Sequence, residues 1–205
     1  MANQVQIVNL ALSWMGQNLI NALGDNQNEA IVMNANYALS RDKVLADNAW
    51  TFATRRQILT PDGTKPPFGF SNRFLIPSDV LLVHRVFRPQ NIGATLFSQV
   101  AETVRGAHNA DWLREGQFIL AREETVHCIF IVQITNTDLF NASFVHALAA
   151  RLAADTAMTF TENEKLQTRM EDRYDAKLAE AQFSEGRQGR TERVVSNLLT
   201  GARTR

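Results

Sequence analysis

Glu123 and Glu124 are the residues whose type and spacing come closest to chemistry. Glycoside hydrolysis needs two carboxyl groups about 5 to 9.5 Å apart across a cleft. One acid would come from this pair, with Glu102 or Asp111 as its partner from a nearby loop. The preferred reading is simpler. Residues 118–121 and 126–134 are apolar runs of strand type, and a hairpin between them needs a polar link, which Arg122 to Thr125 supply.

Other chemistry has less to stand on. His84, His108, His127 and His146 are scattered, with no H-E-x-x-H or C-x-x-C spacing. His127 and Cys128 are adjacent, so in a strand they point to opposite faces and share no metal easily. Cys128 sits in an apolar run and reads as a small core residue rather than a reactive thiolate. No G-x-S-x-G elbow, Walker loop or dinucleotide fingerprint is present, and Gly63-Thr64-Lys65 between prolines reads as a surface turn. No cofactor or metal is expected.

The elements that would carry these residues follow from periodicity. Residues 3–22 read as a helix with Val5, Val8, Leu12 and Met15 on one face. A second helix over 28–48 places Ala30, Met33, Tyr37, Val44 and Leu45 inward, with Arg41 and Asp42 on its polar side. Trp50 and Phe52 follow at strand-like spacing and are expected to anchor the helical pair to the β unit. From 57 to 136 prolines and glycines punctuate short Val/Ile/Phe runs at 74–76, 80–87, 118–121 and 126–134, with loops near 61–72 and 88–111. In the last run Cys128, Phe130, Val132 and Ile134 form the more apolar face. Residues 143–183 read as one long Ala-rich helix, with a bend or break near Thr159 to Glu162.

The expected architecture is therefore α+β. A helical bundle of two N-terminal helices and a long C-terminal helix (1–56 and 137–183) carries an inserted antiparallel β domain (57–136) and an extended C-terminal arm (184–205). The Ala147–Ala157 stripe suits either this intramolecular bundle or close packing against a partner helix.

Composition narrows the function classes. Of 205 residues 45% are hydrophobic, enough for a real core. Lys and Arg number 21 and so do Asp and Glu, so the chain has no overall attraction for phosphate, which argues against a dedicated DNA binder. The lone cysteine rules out an intrachain disulfide. The opening stretch lacks the basic region of a secretion signal, since the first Lys or Arg is Arg41. No apolar run reaches the roughly 18 residues of a membrane span. Synthesis in the cytoplasm is expected.

The tail is basic, with Arg187, Arg190, Arg193, Arg203 and Arg205, but carries no aromatic residue to stack on bases. Arg187, Arg190, Arg193, Val194, Val195, Leu198 and Leu199 are its interface candidates, in the manner of an arm that orders on contact. Duplex DNA binding by the same arginines is the other reading.

Four stretches, in order, resemble the tail tubular protein A family of short-tailed phages. Leu10-Ala11-Leu12-Ser13-Trp14-Met15-Gly16, with Ile20 and Leu23 after it, is similar to the family's L-A-L-S-x-[LM]-G helix and I-x-x-L linker. Arg41, Asp42, Leu45, Trp50, Phe52 and Ala53 match its R-D-x-x-L-x-x-x-x-W-x-F-A stretch. Phe74-Leu75-Ile76-Pro77-Ser78-Asp79-Val80-Leu81 resembles [YF]-x-[LI]-P-x-D-x-L. Phe140, Phe144, Ala147, Leu148, Ala149, Arg151, Leu152 and Ala153 resemble F-x-x-x-[FL]-x-x-A-L-A-x-R-L-A.

The resemblance implies a non-enzymatic head-to-tail adaptor in the virion tail. It implies a homo-oligomeric ring of twelve copies between the portal protein and the tail nozzle protein, tail tubular protein B, with tail fibres or spikes docking nearby. DNA would cross the channel without specific binding, and no membrane is involved. The alternative function is a tail-associated glycan hydrolase using Glu123 or Glu124.

Overall fold

The structure is a computed structural model and describes residues 2–89 and 109–188, with side chains to Glu185. It is a mixed α+β protein with four helices and two three-stranded antiparallel sheets among the described residues. The helices are α1 (Gln4–Met15), α2 (Asn28–Asp47), α3 (Ala142–Thr161) and α4 (Glu164–Gln188). The strands are β1 (Thr54–Leu59), β2 (Asn72–Leu75), β3 (Val80–Phe87), β4 (Trp112–Glu115), β5 (Phe118–Ala121) and β6 (Val126–Val132). No helix among the described residues is long and apolar enough to cross a membrane.

The first helix is shorter than the periodicity over 3–22 predicts, and local chemistry explains both ends. Asn3 and Gln6 form a reciprocal capping box, each side chain accepting the other's backbone N–H at 2.8 and 2.9 Å. Gly16 turns left-handed at φ 69° and stops α1. Ile20 stays buried beyond the stop because the Asn9 side chain clamps its backbone N–H and C=O, both at 2.9 Å.

The single C-terminal helix expected over 143–183 is two helices. Asn141 caps α3 by accepting the Phe144 N–H at 2.8 Å. Glu162 then adopts φ 48°, the one non-glycine residue in the left-handed region among those described, and ends α3. Asn163 restarts the chain by accepting the Leu166 N–H at 3.2 Å. α4 continues to Gln188, so 184–188 are helical rather than part of an extended arm.

The chain divides into two compact units. The helical unit comprises Met1–Arg56, Ser78–His84 and Ile129–Glu185. The sheet unit comprises Gln57–Pro77 and the described part of Arg85–Cys128. Residues 78–84 and 129–136, placed in the insert by sequence, lie with the helices.

In the helical unit α3 packs against both α1 and α2. Ala147, Ala149, Ala150, Ala153, Ala154 and Ala157 are all buried there, so the small-residue stripe serves packing inside the unit. Trp50 and Phe52 are not in a strand. They flank and enter a 3-10 turn, Thr51–Ala53. Trp50 meets Phe144 of α3 edge-on at 5.0 Å, and Phe52 meets the same ring at 5.2 Å. The pair therefore joins the end of α2 to the start of α3, a different anchor from the expected one.

The sheets take the orders β1-β6-β3 and β2-β5-β4. The expected hairpin between 118–121 and 126–134 does not form, because β5 and β6 each occupy the centre of a different sheet. Both are buried along most of their length, as central strands must be. Two strands went unread in the sequence: β1, Thr-Arg-Arg-Gln-Ile-Leu, and β4, Trp-Leu-Arg-Glu. Both are edge strands, where charged residues guard open backbone and dilute the apolar signal.

Candidate functional site

The chemically suggestive residues that the structure describes each have a definite place. Glu123 lies on the link from β5 to β6, ion-paired with Arg88 at 3.0 Å. Its carboxylate also accepts the Arg122 N–H at 3.1 Å, and its backbone carbonyl accepts the Asn72 side chain at 2.7 Å. These bonds brace a sheet-to-sheet link in place of the expected hairpin turn. Asp111, the proposed second acid, faces Arg122 at 3.8 Å, with both side chains largely exposed. Glu124 is exposed, and Glu102 lies outside the described residues.

Cys128 is 2% exposed, and burial pushes its thiol up to about 12 from an ordinary value of 9.0. Such a thiol is not a nucleophile near neutral pH. His84, His127 and His146 form no metal-holding group with neighbouring carboxylates or the cysteine among the described residues, and His108 lies outside them.

Two open depressions mark the described surface. The first, in the helical unit, is lined by Lys43, Asp47, Arg151, Glu171, Tyr174, Asp175 and Leu178. Its polar groups serve one another. The Tyr174 hydroxyl donates to Asp47 at 2.6 Å, Lys43 pairs with Asp47, and Arg151 pairs with Asp155 at 2.6 Å. Ser40 donates to the same Asp155 at 2.7 Å. Burial, helped by the bond to Asp47, raises the Tyr174 hydroxyl far above the ordinary phenol range, so it acts as a neutral donor. The network ties α2, α3 and α4 together and leaves little to grip a ligand.

The second depression, about 540 Å³, lies on the sheet unit among Thr64 to Pro67, Arg73, Glu115 to Phe118 and Leu120. Arg73 holds Asp62 at 2.6 Å and covers the Phe118 ring at 4.0 Å. The Arg73 hydrogen bond is the main cause that lowers the Asp62 carboxyl. Beside it, the pairing register puts Leu75 and Leu113 on the same sheet face as Phe118 and Leu120. Leu75 and Leu113 are 53% and 55% exposed, and Phe68 in the preceding loop is 86% exposed. Leu75 and Leu113 thus leave apolar surface open on this sheet face.

Of the tail candidates, Arg187 lies on the last turn of α4, with its side chain outside the description. Arg190, Arg193, Val194, Val195, Leu198 and Leu199 lie outside the described residues. Sequence reasoning missed a buried polar group. Arg41, expected on the polar side of α2, is 7% exposed and bonds Asp42 at 2.8 Å, while Gln133 donates to Asp42 at 2.6 Å. The signal was available: Arg41 lies four residues before Leu45 and four after Tyr37, on the buried stripe.

No protein-family model matches the chain, and no curated protein matches it in sequence.

Proposed function

We propose that this chain is a structural adaptor of a short-tailed phage, similar in role to tail tubular protein A. Twelve copies would form a ring in the virion tail between the portal and the nozzle protein. In this reading the two N-terminal helices and the C-terminal helices form a bundle that carries the sheets as an insert. Tail fibres or spikes dock near the ring, and DNA crosses its channel without being held.

One observation carries the reading: the four family-like stretches coincide with the residues that set the fold's junctions. Leu12 and Met15 are buried on α1, and Gly16 is its left-handed stop. Arg41, Leu45, Trp50 and Ala53 are buried where α2 turns into β1. Phe74 and Ile76 are buried at the end of β2, and Asp79, just before β3, holds Arg55 through two bonds at 2.6 and 2.8 Å. Phe140, Phe144, Leu148 and Leu152 are buried at and along α3. The motif is a packing motif, as befits a protein whose product is a shape. Exposed Leu75, Leu113 and Phe68 add support, since ring contacts between identical subunits need apolar surface that the monomer leaves open.

Native mass measurement and electron imaging of the chain mixed with a cognate portal provide the test. A closed ring seated on the portal is expected. A chain that stays solitary beside the portal overturns the proposal.

A further inference from the structure

The grip on α4 weakens toward its C-terminal end. From Ala179 to Glu185 the only buried side chains are Ala181 and Glu185, while Gln182 and Phe183 are exposed. Ala181 is the one buried apolar side chain of this stretch, and Ser184 and Gly186 are poor helix formers. The helix nevertheless runs to Gln188.

A polar knot accounts for its persistence. Glu185 is 7% exposed, and both of its oxygens are occupied. One accepts the Thr51 backbone N–H at 3.0 Å, and the other accepts the Asn141 side-chain amide. Asn141 uses its own oxygen to cap α3. Next to it, the Ser184 and Ser143 hydroxyls meet at 3.3 Å. One carboxylate thus links three segments: the turn after α2, the residue before α3, and the last turns of α4. Burying a carboxylate is costly unless its oxygens are satisfied, and here the donors at the edge of the unit satisfy both.

We infer that Glu185 is a strap that fastens the end of α4 to the start of α3 and to Thr51, and so fixes where the chain leaves the helical unit. Its partners are a backbone N–H and an amide rather than apolar side chains. Undoing it exposes little apolar surface, so the end of α4 opens locally while α1, α2 and α3 stay folded. This inference stands on geometry alone and does not depend on the ring proposal.

Hydrogen exchange read by mass spectrometry on the full chain tests it. In Glu185→Ala, amides of 182–188 should exchange about tenfold faster, the effect expected when a buried charged hydrogen bond is lost. Amides of α1 and α3 should stay within about twofold of the parent. Glu185→Gln keeps one oxygen acceptor and should give a smaller acceleration confined to the same segment. Glu180→Ala, on the exposed side of the same helix, should leave 182–188 unchanged. Unchanged exchange at 182–188 in both Glu185 variants overturns the strap, and so does acceleration spread evenly through α1 and α3. If Glu185→Ala does not fold, the Glu185→Gln pattern decides alone: a rise confined to 182–188 supports the strap, and any other pattern rejects it.

Discussion

In the helical unit, α1, α2 and α3 turn their apolar residues on one another, and even the small side chains of α3 are buried. In the sheet unit, Phe74, Ile119 and Ala121 are buried on one face, while Leu75 and Leu113 stand half exposed on the other. The polar groups differ in the same sense. Tyr174, Asp47 and Glu185 make bonds between helices or from a helix to a turn, whereas Asp62–Arg73 and Arg88–Glu123 are partly exposed ion pairs. Both regions leave some apolar side chains open: Ile31 and Leu39 on α2 in the helical unit, Leu75 and Leu113 on strands of the sheet unit. In the sheet unit the pairing register sets Leu75 and Leu113 on one sheet face, and such a surface is where a partner gains the most.

Breaking the helical unit should have the largest effect. Trp50 is fully buried and donates its indole N–H to the Val44 carbonyl at 2.8 Å. Trp50→Ala should cost about 3 to 5 kcal/mol in urea unfolding. Phe74→Ala should cost about 3 kcal/mol, the low end for such a change, because a thin sheet unit collapses more readily onto the space left behind. A larger loss for Phe74 than for Trp50 would reverse the ranking of the two units.

Cys128 sharpens the comparison through pH. Its folded value lies above its ordinary 9.0, so the stability from keeping it neutral is complete below pH 9. That contribution is lost as pH rises from 9 toward 12, by at most about 1.4 kcal/mol per unit. Cys128→Ala should flatten this limb of the pH–stability curve. Alkylation at pH 8 should be slow in the folded chain and fast in urea; equal rates would place the thiol at the surface.

Tyr174→Phe removes the bond to Asp47 but keeps the packing, and should cost about 1 to 2 kcal/mol by thermal or urea unfolding. The smallest effect belongs to the exposed sheet face. Leu75→Ser and Leu113→Ser should each change monomer stability by less than about 0.5 kcal/mol. If this face is a ring contact, the same changes should weaken assembly on the portal in native mass measurements. A stability loss near that of Phe74→Ala would mean the face is part of the monomer's core.

Much of the helical framework was legible as pattern. Val8, Leu12, Met15, Ala30, Met33, Val44 and Leu45 were assigned inward by spacing alone, and all are buried. The chemistry was less legible. Glu123 and Glu124 drew attention by type, and nothing local foretold that Arg88, some 35 residues earlier, would occupy the first. Glu185 was read as part of a basic tail, because its partners Thr51 and Asn141 are distant in sequence.

By itself, then, the sequence determined what depends on near neighbours: which faces of the helices turn inward and which strand runs are apolar enough to be buried. Only the tertiary structure decided what depends on distant segments. It separated β5 and β6 into different sheets, buried Arg41 beside Asp42 and Gln133, and fastened Glu185 to two other parts of the chain. The physical reason is reach. Periodicity and capping act over a few residues, whereas strand partners and buried polar pairs are chosen by whatever surface folding brings alongside.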